Sequence, residues 1–221
     1  MTATVIITGA ASGIGRATAQ LFAENGYTVG IIDKQEEPRE GGTPTHELIE
    51  QEGGDAFFIE ANVRRRGEVD EAFDAIEDRI EEFEVLINNA GFAETVSIGD
   101  MRDHLWHKIM EVNVDGVYYC TQAALSGLGT DGAIVNISSR VGKEGVADLS
   151  AYAAAKHAVL GFTESISKEL DDIRVNAVCP RRTKTAMTGF EGDPPEKVAE
   201  TIYAVSQADY TGRAIDVGDD G

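Results

Sequence analysis

The chain has 221 residues, and its 39 acidic side chains against 19 basic ones give a formal net charge of −20. This charge disfavours nucleic acids and anionic membrane surfaces as partners. The length suits one domain with a sizeable core. No apolar run approaches the roughly 18 residues that a membrane span needs. The first residues form a strand pattern without a basic and then apolar leader, so a soluble, untargeted protein is expected.

The cysteines and the charge balance favour a particular environment. Cys120 and Cys179 lie inside apolar segments and not in a CxxC pair, so neither a disulfide nor a zinc framework is expected and a reducing cytoplasm is favoured. The four histidines form no metal-ligand pattern, so no metal is expected. The acidic excess indicates a halophilic protein, because molar salt screens self-repulsion over about 3 Å. An ordinary acidic cytosolic protein is the alternative.

Short apolar runs alternate with helical patterns in chain order. The expected strands are TVIIT, TVGIID, AFFIEANV, EVLINNAG, AIVNISS, RVNAVCP and AIDV. The expected helices are GIGRATAQLFAENG, THELIEQE, EVDEAFDAIEDRIEEF, MRDHLWHKIMEVNVDGVYYCTQAAL, the segment around SAYAAAKHAVLGF, and PPEKVAETIYAVSQ. This alternation predicts a doubly wound α/β (Rossmann) fold, in which a seven-stranded, mostly parallel sheet carries helices on both faces. We expect a single domain over 1–221, with a cofactor half at about 1–91 and a catalytic and substrate half at about 92–221.

The first strand-to-helix turn has the composition of a nucleotide-binding turn. VIITGAASGIGRATAQLF places Gly9, Gly13 and Gly15 between a strand and a helix, where glycines allow backbone N–H groups to approach a pyrophosphate. Asp33 ends the second strand, 18 residues after Gly15, where a carboxylate can accept hydrogen bonds from an adenosine ribose. It would repel a 2′-phosphate, which favours NAD, whereas Lys34 beside it keeps NADP as an alternative.

One alanine-rich helix carries a candidate proton-handling pair. Tyr152 and Lys156 in SAYAAAKHAVLGF are four residues apart, and therefore share a helix face, one turn apart. A free tyrosine with a pKa of about 10 is a poor base near neutrality. A nearby lysine cation, together with an oxidised nicotinamide, would favour the phenolate and lower the pKa of Tyr152. A core phenol beside a snorkelling lysine is the structural alternative.

These motifs together resemble the short-chain dehydrogenase/reductase family, in its shorter single-domain branch, over nearly the whole chain. TGAASGIG at 8–15 is similar to the family's TGxxxGxG turn, and NNAG at 88–91 to its fourth-strand motif. Asn113, Ser139, Tyr152 and Lys156, with spacings of 26, 13 and 4, match its catalytic tetrad. The resemblance implies an NAD(P)-dependent oxidoreductase that interconverts a secondary alcohol and a ketone on a small molecule.

The resemblance also implies a role for each residue. Tyr152 would be the acid/base, and Ser139 would hydrogen-bond the substrate oxygen, with Ser138 turned to the other face. Lys156 would also hold the nicotinamide ribose, and Asn113 a water that links Lys156 to solvent. Asn88 would brace the central strands. The expected cofactor-binding residues are Gly9, Ser12, Gly13, Ile14, Gly15, Asp33, Asn62, Val63, Asn89, Ala90, Gly91, Tyr152, Lys156, Pro180 and Thr185, with Asn62 where an aspartate usually meets adenine.

Two departures from the family pattern concern the substrate side. Arg181 follows Pro180 where the family has glycine; it either attracts an acidic substrate, holds a phosphate or points to solvent, and the solvent-facing interpretation is favoured. Only some nine residues separate Thr185 from the last helix, fewer than the family's usual lid, which predicts an open pocket with weaker exclusion of water. YTGRAIDVGDDG resembles the last strand and the start of the tail, so the chain is expected to be complete but short.

Two other functions compete with the oxidoreductase. A dinucleotide-binding regulator with little turnover would follow if the short lid abolished catalysis, although the tetrad is intact. An epimerase or dehydratase of the longer branch uses the same tyrosine and lysine but normally has a further substrate domain. By resemblance, the protein is expected to be a homotetramer or homodimer.

Overall fold

A computed structural model describes residues 2–218, so Met1 and the final residues of the predicted tail, 219–221, lie outside the described residues. All seven expected strands form and belong to one sheet. They are β1 (Thr4–Thr8), β2 (Thr28–Asp33), β3 (Asp55–Glu60), β4 (Phe83–Asn88), β5 (Leu128–Ile137), β6 (Arg174–Cys179) and β7 (Ala214–Asp216). The apolar, β-branched runs of the sequence therefore predicted every strand, because strands covered on both faces are apolar along their length.

The strand order in space is β3-β2-β1-β4-β5-β6-β7, and all six pairings are parallel. The doubly wound α/β fold is thereby confirmed. The order reverses between β1 and β4, which places the crevice for a ligand at the carboxyl ends of these strands.

Seven α-helices within residues 2–218 cover the two faces of the sheet. They are α1 (Gly13–Glu24), α2 (Thr45–Gln51), α3 (Arg66–Glu77), α4 (Asp103–Met110), α5 (Gly116–Ala124), α6 (Ser150–Ile166) and α7 (Pro195–Gln207). Alternate residues of β1 face opposite sides, as the period of a strand requires. Val5 and Ile7 pack with Phe22 of α1, whereas Ile6 packs with Phe73 of α3. No helix in the described part of the chain combines the length and apolar character needed to cross a bilayer.

Two helix predictions were wrong in extent. The expected helix EVDEAFDAIEDRIEEF ends at Glu77, and Phe83, its last residue, begins β4. The long helix expected from Met101 to Leu125 is instead α4, a π-helical segment over Glu111–Asp115, and α5. The π-helical segment inserts an extra residue into the helical turn, which re-aims the side chains at that point.

A chain of buried polar side chains joins the middle of the sheet to the helices beside it. Asn88 of β4 donates through Nδ2 to Thr121 Oγ1 at 3.0 Å and to Asn136 Oδ1 at 2.9 Å. Asn136 in turn donates to Thr163 Oγ1 of α6 at 2.9 Å. The prediction that Asn88 braces the central strands is confirmed.

Candidate active site

A cleft of about 710 Å³ opens along the carboxyl ends of the strands. It extends from the end of β2, past the turn after β1, to the ends of β5 and β6. Every residue expected at the site lines this cleft except Gly15 and Asn113, which are buried beneath it. The cleft is therefore the candidate active site.

The turn after β1 requires glycine for two physical reasons. Gly9 has a φ of +69°, and a Cβ there would lie 2.7 Å from the Cα of Ala90. A Cβ on Gly15 would lie 2.4 Å from the carbonyl oxygen of Gly9. Both distances are shorter than any real carbon contact, so these glycines bring the turn, the N-terminus of α1 and the end of β4 into close packing.

The NNAG segment after β4 supports this turn through hydrogen bonds. Asn89 donates through Nδ2 to the carbonyl oxygens of Thr8 at 2.9 Å and Gly9 at 3.0 Å. Thr8 Oγ1 accepts from the backbone N–H groups of Asn89 and Ala90, each at 3.0 Å. The two segments therefore form one rigid floor of the cleft.

A loop that follows β2 lies against the same turn. The backbone N–H of Arg39 donates to Ser12 Oγ at 2.8 Å, and the N–H of Gly13 donates to Glu40 Oε1 at 3.2 Å. The Gly13 amide thus already points at an anionic oxygen, as a pyrophosphate-binding turn requires. The sequence analysis predicted neither contact.

Asp33 lies at the end of β2, inside the cleft. Its carboxylate accepts from the N–H of Ala11 at 3.1 Å and from the N–H of Lys34 at 2.8 Å. Burial raises the pKa of Asp33 from its ordinary value, while these amides and the nearby charges of Arg39 and Lys34 act in the opposite direction. The carboxylate is thus positioned by backbone, with two cations beside it.

The segment after β3 forms the wall of the cleft near Asp33. Asn62 Oδ1 accepts from the N–H of Arg64 at 3.2 Å, and the N–H of Asn62 donates to Glu68 Oε2 at 2.8 Å. Val63 packs closely against Gly116, because a Cβ on Gly116 would lie only 2.8 Å from Val63 Cγ2. Local backbone bonds therefore hold this wall in place.

The serines after β5 have different environments. Ser138 is buried and donates to the carbonyl oxygen of Lys156 at 2.9 Å. Ser139 Oγ accepts from the N–H of Val141 at 3.2 Å. Its hydroxyl also acts to lower the pKa of the Tyr152 phenol, against the larger effect of burial. Ser139 is therefore the serine beside the candidate catalytic tyrosine.

Tyr152 and Lys156 both lie on α6, on one face of the helix, as their spacing predicts. Lys156 Nζ lies 5.6 Å from the centre of the Tyr152 ring and donates to the carbonyl oxygen of Ile137 at 2.8 Å. Burial raises the pKa of Tyr152 to about 12. Burial also lowers the pKa of Lys156 to about 8.

The lowering of the pKa of Tyr152 that was expected from Lys156 together with an oxidised nicotinamide stays a prediction. Desolvation penalises the charged form of both groups, and it is the largest cause that acts on the pKa of each. The sequence argument counted the oxidised nicotinamide as a second positive charge. For a phenolate to form near neutrality, the positive charges of Lys156 and of an oxidised nicotinamide would have to outweigh the desolvation of Tyr152.

Asn113 lies in the π-helical segment, is fully buried and does not line the cleft. Its Nδ2 donates to the carbonyl oxygens of Phe92 at 2.7 Å and Ile109 at 2.8 Å. Both amide protons are thus committed, so the side chain cannot also donate to a relay water. The sequence analysis did not predict a role for Phe92. Phe92 contacts both Asn113 and Lys108, and Lys108 Nζ lies 3.8 Å from the centre of the Phe92 ring.

The segment after β6 forms the rim of the cleft. Pro180 accepts from the N–H of Arg140 at 2.9 Å, and Thr185 begins a single 3₁₀ turn over Ala186–Thr188. Two backbone hydrogen bonds of 2.8 Å close the loop: the N–H of Asp193 donates to the carbonyl oxygen of Arg182, and the N–H of Lys184 donates to that of Asp193. Between Thr185 and α7 the described residues contain no further helix, and Met187 and Phe190 are exposed.

Comparison with known proteins agrees with this geometry. A family model described as short chain dehydrogenase matches residues 3–195. The chain belongs to this family, and it is accordingly an oxidoreductase by family. Two crystal structures from Brucella melitensis superpose on nearly the whole short-chain dehydrogenase fold. One, described as a short-chain dehydrogenase/reductase of the glucose/ribitol dehydrogenase type, has a TM-score of 0.87 at 27% identity and covers 97% of this chain and 94% of its own.

The second, a 3-ketoacyl-(acyl-carrier-protein) reductase complexed with NADH, has a TM-score of 0.86 at 26% identity and covers 97% of this chain and 96% of its own. Among relatives of this short-chain dehydrogenase, a 3-oxoacyl-[acyl-carrier-protein] reductase of Synechocystis sp. is 34% identical, over 89% of this chain and 86% of its own length. A 3β-hydroxysteroid dehydrogenase of Mediterraneibacter gnavus is 32% identical, over 83% of this chain and 67% of its own length.

Proposed function

We propose that this short-chain dehydrogenase interconverts a secondary alcohol and a ketone on a small molecule, with Tyr152 as acid/base and a nicotinamide dinucleotide as cofactor. The observation that carries the proposal is that Ser139, Tyr152 and Lys156 lie together in the cleft that the glycine turn after β1 also lines. The test is substrate-dependent change of absorbance at 340 nm.

The residues of the cleft fit a dinucleotide. A side chain at Gly9 or Gly15 would clash with the backbone that forms the floor of the cleft. The N–H of Gly13 donates to a carboxylate oxygen of Glu40, and a pyrophosphate oxygen would take the same position. When bound, the cofactor supplies or accepts the hydride. We propose residues 1–91 as the cofactor half and 92–221 as the catalytic half.

The residues of the chain handle the proton. In reduction the Tyr152 hydroxyl would donate its proton to the carbonyl oxygen as the carbon receives the hydride, and in oxidation the phenolate would take the proton back. Ser139 would donate a hydrogen bond to the same oxygen and stabilise developing charge. Lys156 would favour the phenolate and hold the nicotinamide ribose, and Asn113 would position the helix that faces them.

The alternative is a dinucleotide-binding protein with little turnover. The short loop from Thr185 to α7 supports it, because an open pocket excludes water poorly. This alternative predicts cofactor binding without catalysis, so a binding measurement beside the activity assay separates the two.

We propose NAD as the preferred cofactor, with NADP as the alternative. Asp33 would accept from ribose hydroxyls and repel a 2′-phosphate, whereas Arg39 and Lys34 would attract it. Asp33→Asn should therefore raise the ratio of kcat/KM for NADPH to that for NADH by at least about tenfold, since placing like charges together costs several kcal/mol. Asp74→Asn on the exposed face of α3 is the control and should leave the ratio unchanged. An unchanged ratio in Asp33→Asn would show that Asp33 does not select the cofactor.

We also propose that the protein is adapted to high salt. Only eight acidic side chains in the described part of the chain lie within ion-pair distance of a basic group, so most of the acidic side chains in that part are uncompensated. The Tm should rise by roughly 10 °C between dilute buffer and molar KCl, because screening relieves self-repulsion. Sucrose at equal osmolality separates screening from solute exclusion. A flat or falling Tm would refute the adaptation.

Assembly and compartment complete the proposal. Tyr118 on α5, with Leu125 just beyond it, exposes apolar surface beside Phe162 of α6, which supports a homodimer or homotetramer through these helices. Molar mass from light scattering tests this. Cys120 and Cys179 are both free and buried, which supports the proposed cytoplasmic location.

A further inference from the structure

Charge is distributed unevenly between the cleft and the rest of the chain. Acidic residues outnumber basic ones 39 to 19 overall. Among the residues that line the cleft the balance is reversed, with eight lysines or arginines and a single acid, Asp33. A cleft of one sign concentrates ligands of the opposite sign, because its low-dielectric walls focus the field. The cleft is therefore built to receive anions.

Six of the eight basic residues form two groups along the cleft. Lys34, Arg39 and Arg64 flank the end that we propose for the adenosine part of the cofactor. Three arginines lie at the opposite end, beside Ser139 and Pro180, and these are Arg140, Arg181 and Arg182. The first group lies where the phosphates of a dinucleotide would be attracted, and the second is on the substrate side.

Arg140 and Arg181 lie at the carboxyl ends of neighbouring strands. Arg140 directly follows Ser139 after β5, and its N–H donates to the carbonyl oxygen of Pro180, the residue before Arg181. This backbone hydrogen bond holds the two arginines on neighbouring segments of the chain, next to Ser139, the serine that we place at the substrate oxygen.

The three arginines differ in how far their charges are already compensated. Arg182 is paired with Glu191 at 2.8 Å and donates to the carbonyl oxygen of Thr188. Arg140 reaches Glu144, four residues further along the chain, only at 3.4 Å in an exposed pair, which is a weak interaction. The Arg181 guanidinium has neither an ion pair nor a hydrogen bond among residues 2–218. In so acidic a protein an uncompensated arginine at a cleft indicates a charge kept for a ligand.

We infer that the substrate carries a carboxylate or phosphate group, and that Arg181, assisted by Arg140, binds this group while the ketone or alcohol faces Ser139 and Tyr152. The inference rests on the proposed function and names the substrate class of the same site. A guanidinium presents two parallel N–H groups that match carboxylate and phosphate oxygens. The short rim loop leaves Arg181 accessible from solvent, so the anionic end of the substrate can stay near the cleft mouth.

The experiment compares matched substrates with and without the charge. Reduction of 3-oxobutanoate is measured against methyl 3-oxobutanoate, and hydroxyacetone phosphate against hydroxyacetone, at constant ionic strength with NADH. The first pair tests a carboxylate and the second a phosphate. The wild type should prefer the anion of at least one pair. Arg181→Gln should lower kcat/KM for that anion by about 10- to 100-fold and leave the neutral partner and NADH affinity within about twofold.

Two further variants show what the effect depends on. Arg181→Lys keeps the charge but loses the paired N–H groups, so its kcat/KM should lie between the wild type and Arg181→Gln. Lys168→Gln removes the same charge from an exposed site beyond the end of α6 and should change nothing. Equal losses for charged and neutral substrates in Arg181→Gln, or a wild type indifferent to the charge, would overturn the inference while leaving the oxidoreductase intact.

A binding measurement keeps this test separate from the proposed function. Isothermal titration of the NADH complex with 3-oxobutanoate and with hydroxyacetone phosphate reports affinity without turnover. Binding of either anion that Arg181→Gln abolishes supports the arginine site even if no substrate is reduced, in which case the proposed reaction fails. Binding that is absent, or the same in Arg181→Gln, overturns the inference.

Discussion

Tyr152→Phe is expected to abolish turnover while preserving cofactor binding. The substitution removes one hydroxyl that is ionisable and retains the ring on α6. Loss of a general acid/base lowers rates by about 10²- to 10⁴-fold, and kcat should fall with little change in KM because the proton moves only in the reaction step. Steady-state kinetics at 340 nm measure kcat, and titration of intrinsic fluorescence measures the dissociation constant for NADH.

Tyr203→Phe is the matched control for this result. Tyr203 packs on Phe22 with ring centres 5.1 Å apart, away from the cleft, so it loses the same atom without loss of activity. Full activity in Tyr152→Phe would disprove the mechanism. Loss of NADH binding in that variant would instead show that Tyr152 mainly holds the cofactor.

Lys156→Met should also lose activity by about 10²- to 10⁴-fold, and should change the pH dependence of any residual rate. Burial alone raises the pKa of Tyr152 to about 12, so the phenolate depends on the positive charges near it. Removing one such charge raises the pKa of Tyr152 further. The acid limb of the alcohol-oxidation profile should therefore move to higher pH, because more alkali is needed to form the phenolate.

Stability needs a separate measurement in this variant, because Lys156 Nζ donates to the carbonyl oxygen of Ile137 and the loss of a buried hydrogen bond costs about 1–3 kcal/mol. Thermal unfolding followed by circular dichroism measures this cost. Lys168→Met, at an exposed ion pair with Glu164, is the control. An unshifted acid limb in folded Lys156→Met would show that Lys156 does not activate the tyrosine.

Local patterns were sufficient to predict the sheet. Each strand is a short run of β-branched and apolar residues, and glycines mark the turn after β1, so the fold and the place of the cleft follow from residues close together in sequence. Tyr152 and Lys156 share a face because of helical geometry alone. These features depend on periodicity, which a sequence displays directly.

Features set by tertiary contacts were not predictable in the same way. The π-helical segment depends on Asn113 reaching the carbonyl oxygen of Phe92, 21 residues away; an asparagine inside a helical pattern was its only local signal. The early start of β5 at Leu128 was missed because LGTDG has the composition of a loop, and Asp131 indeed has a positive φ of 65°. The pKa of Tyr152 depends on burial, which no spacing reveals.

The most direct test of the central claim is the absorbance assay at 340 nm in molar KCl, with NADH and NADPH offered separately against ketones of several classes. The account predicts substrate-dependent oxidation of the reduced cofactor, preferably NADH, by the wild type, and none by Tyr152→Phe. Cofactor binding by the wild type without turnover of any substrate would contradict the account and favour the dinucleotide-binding regulator.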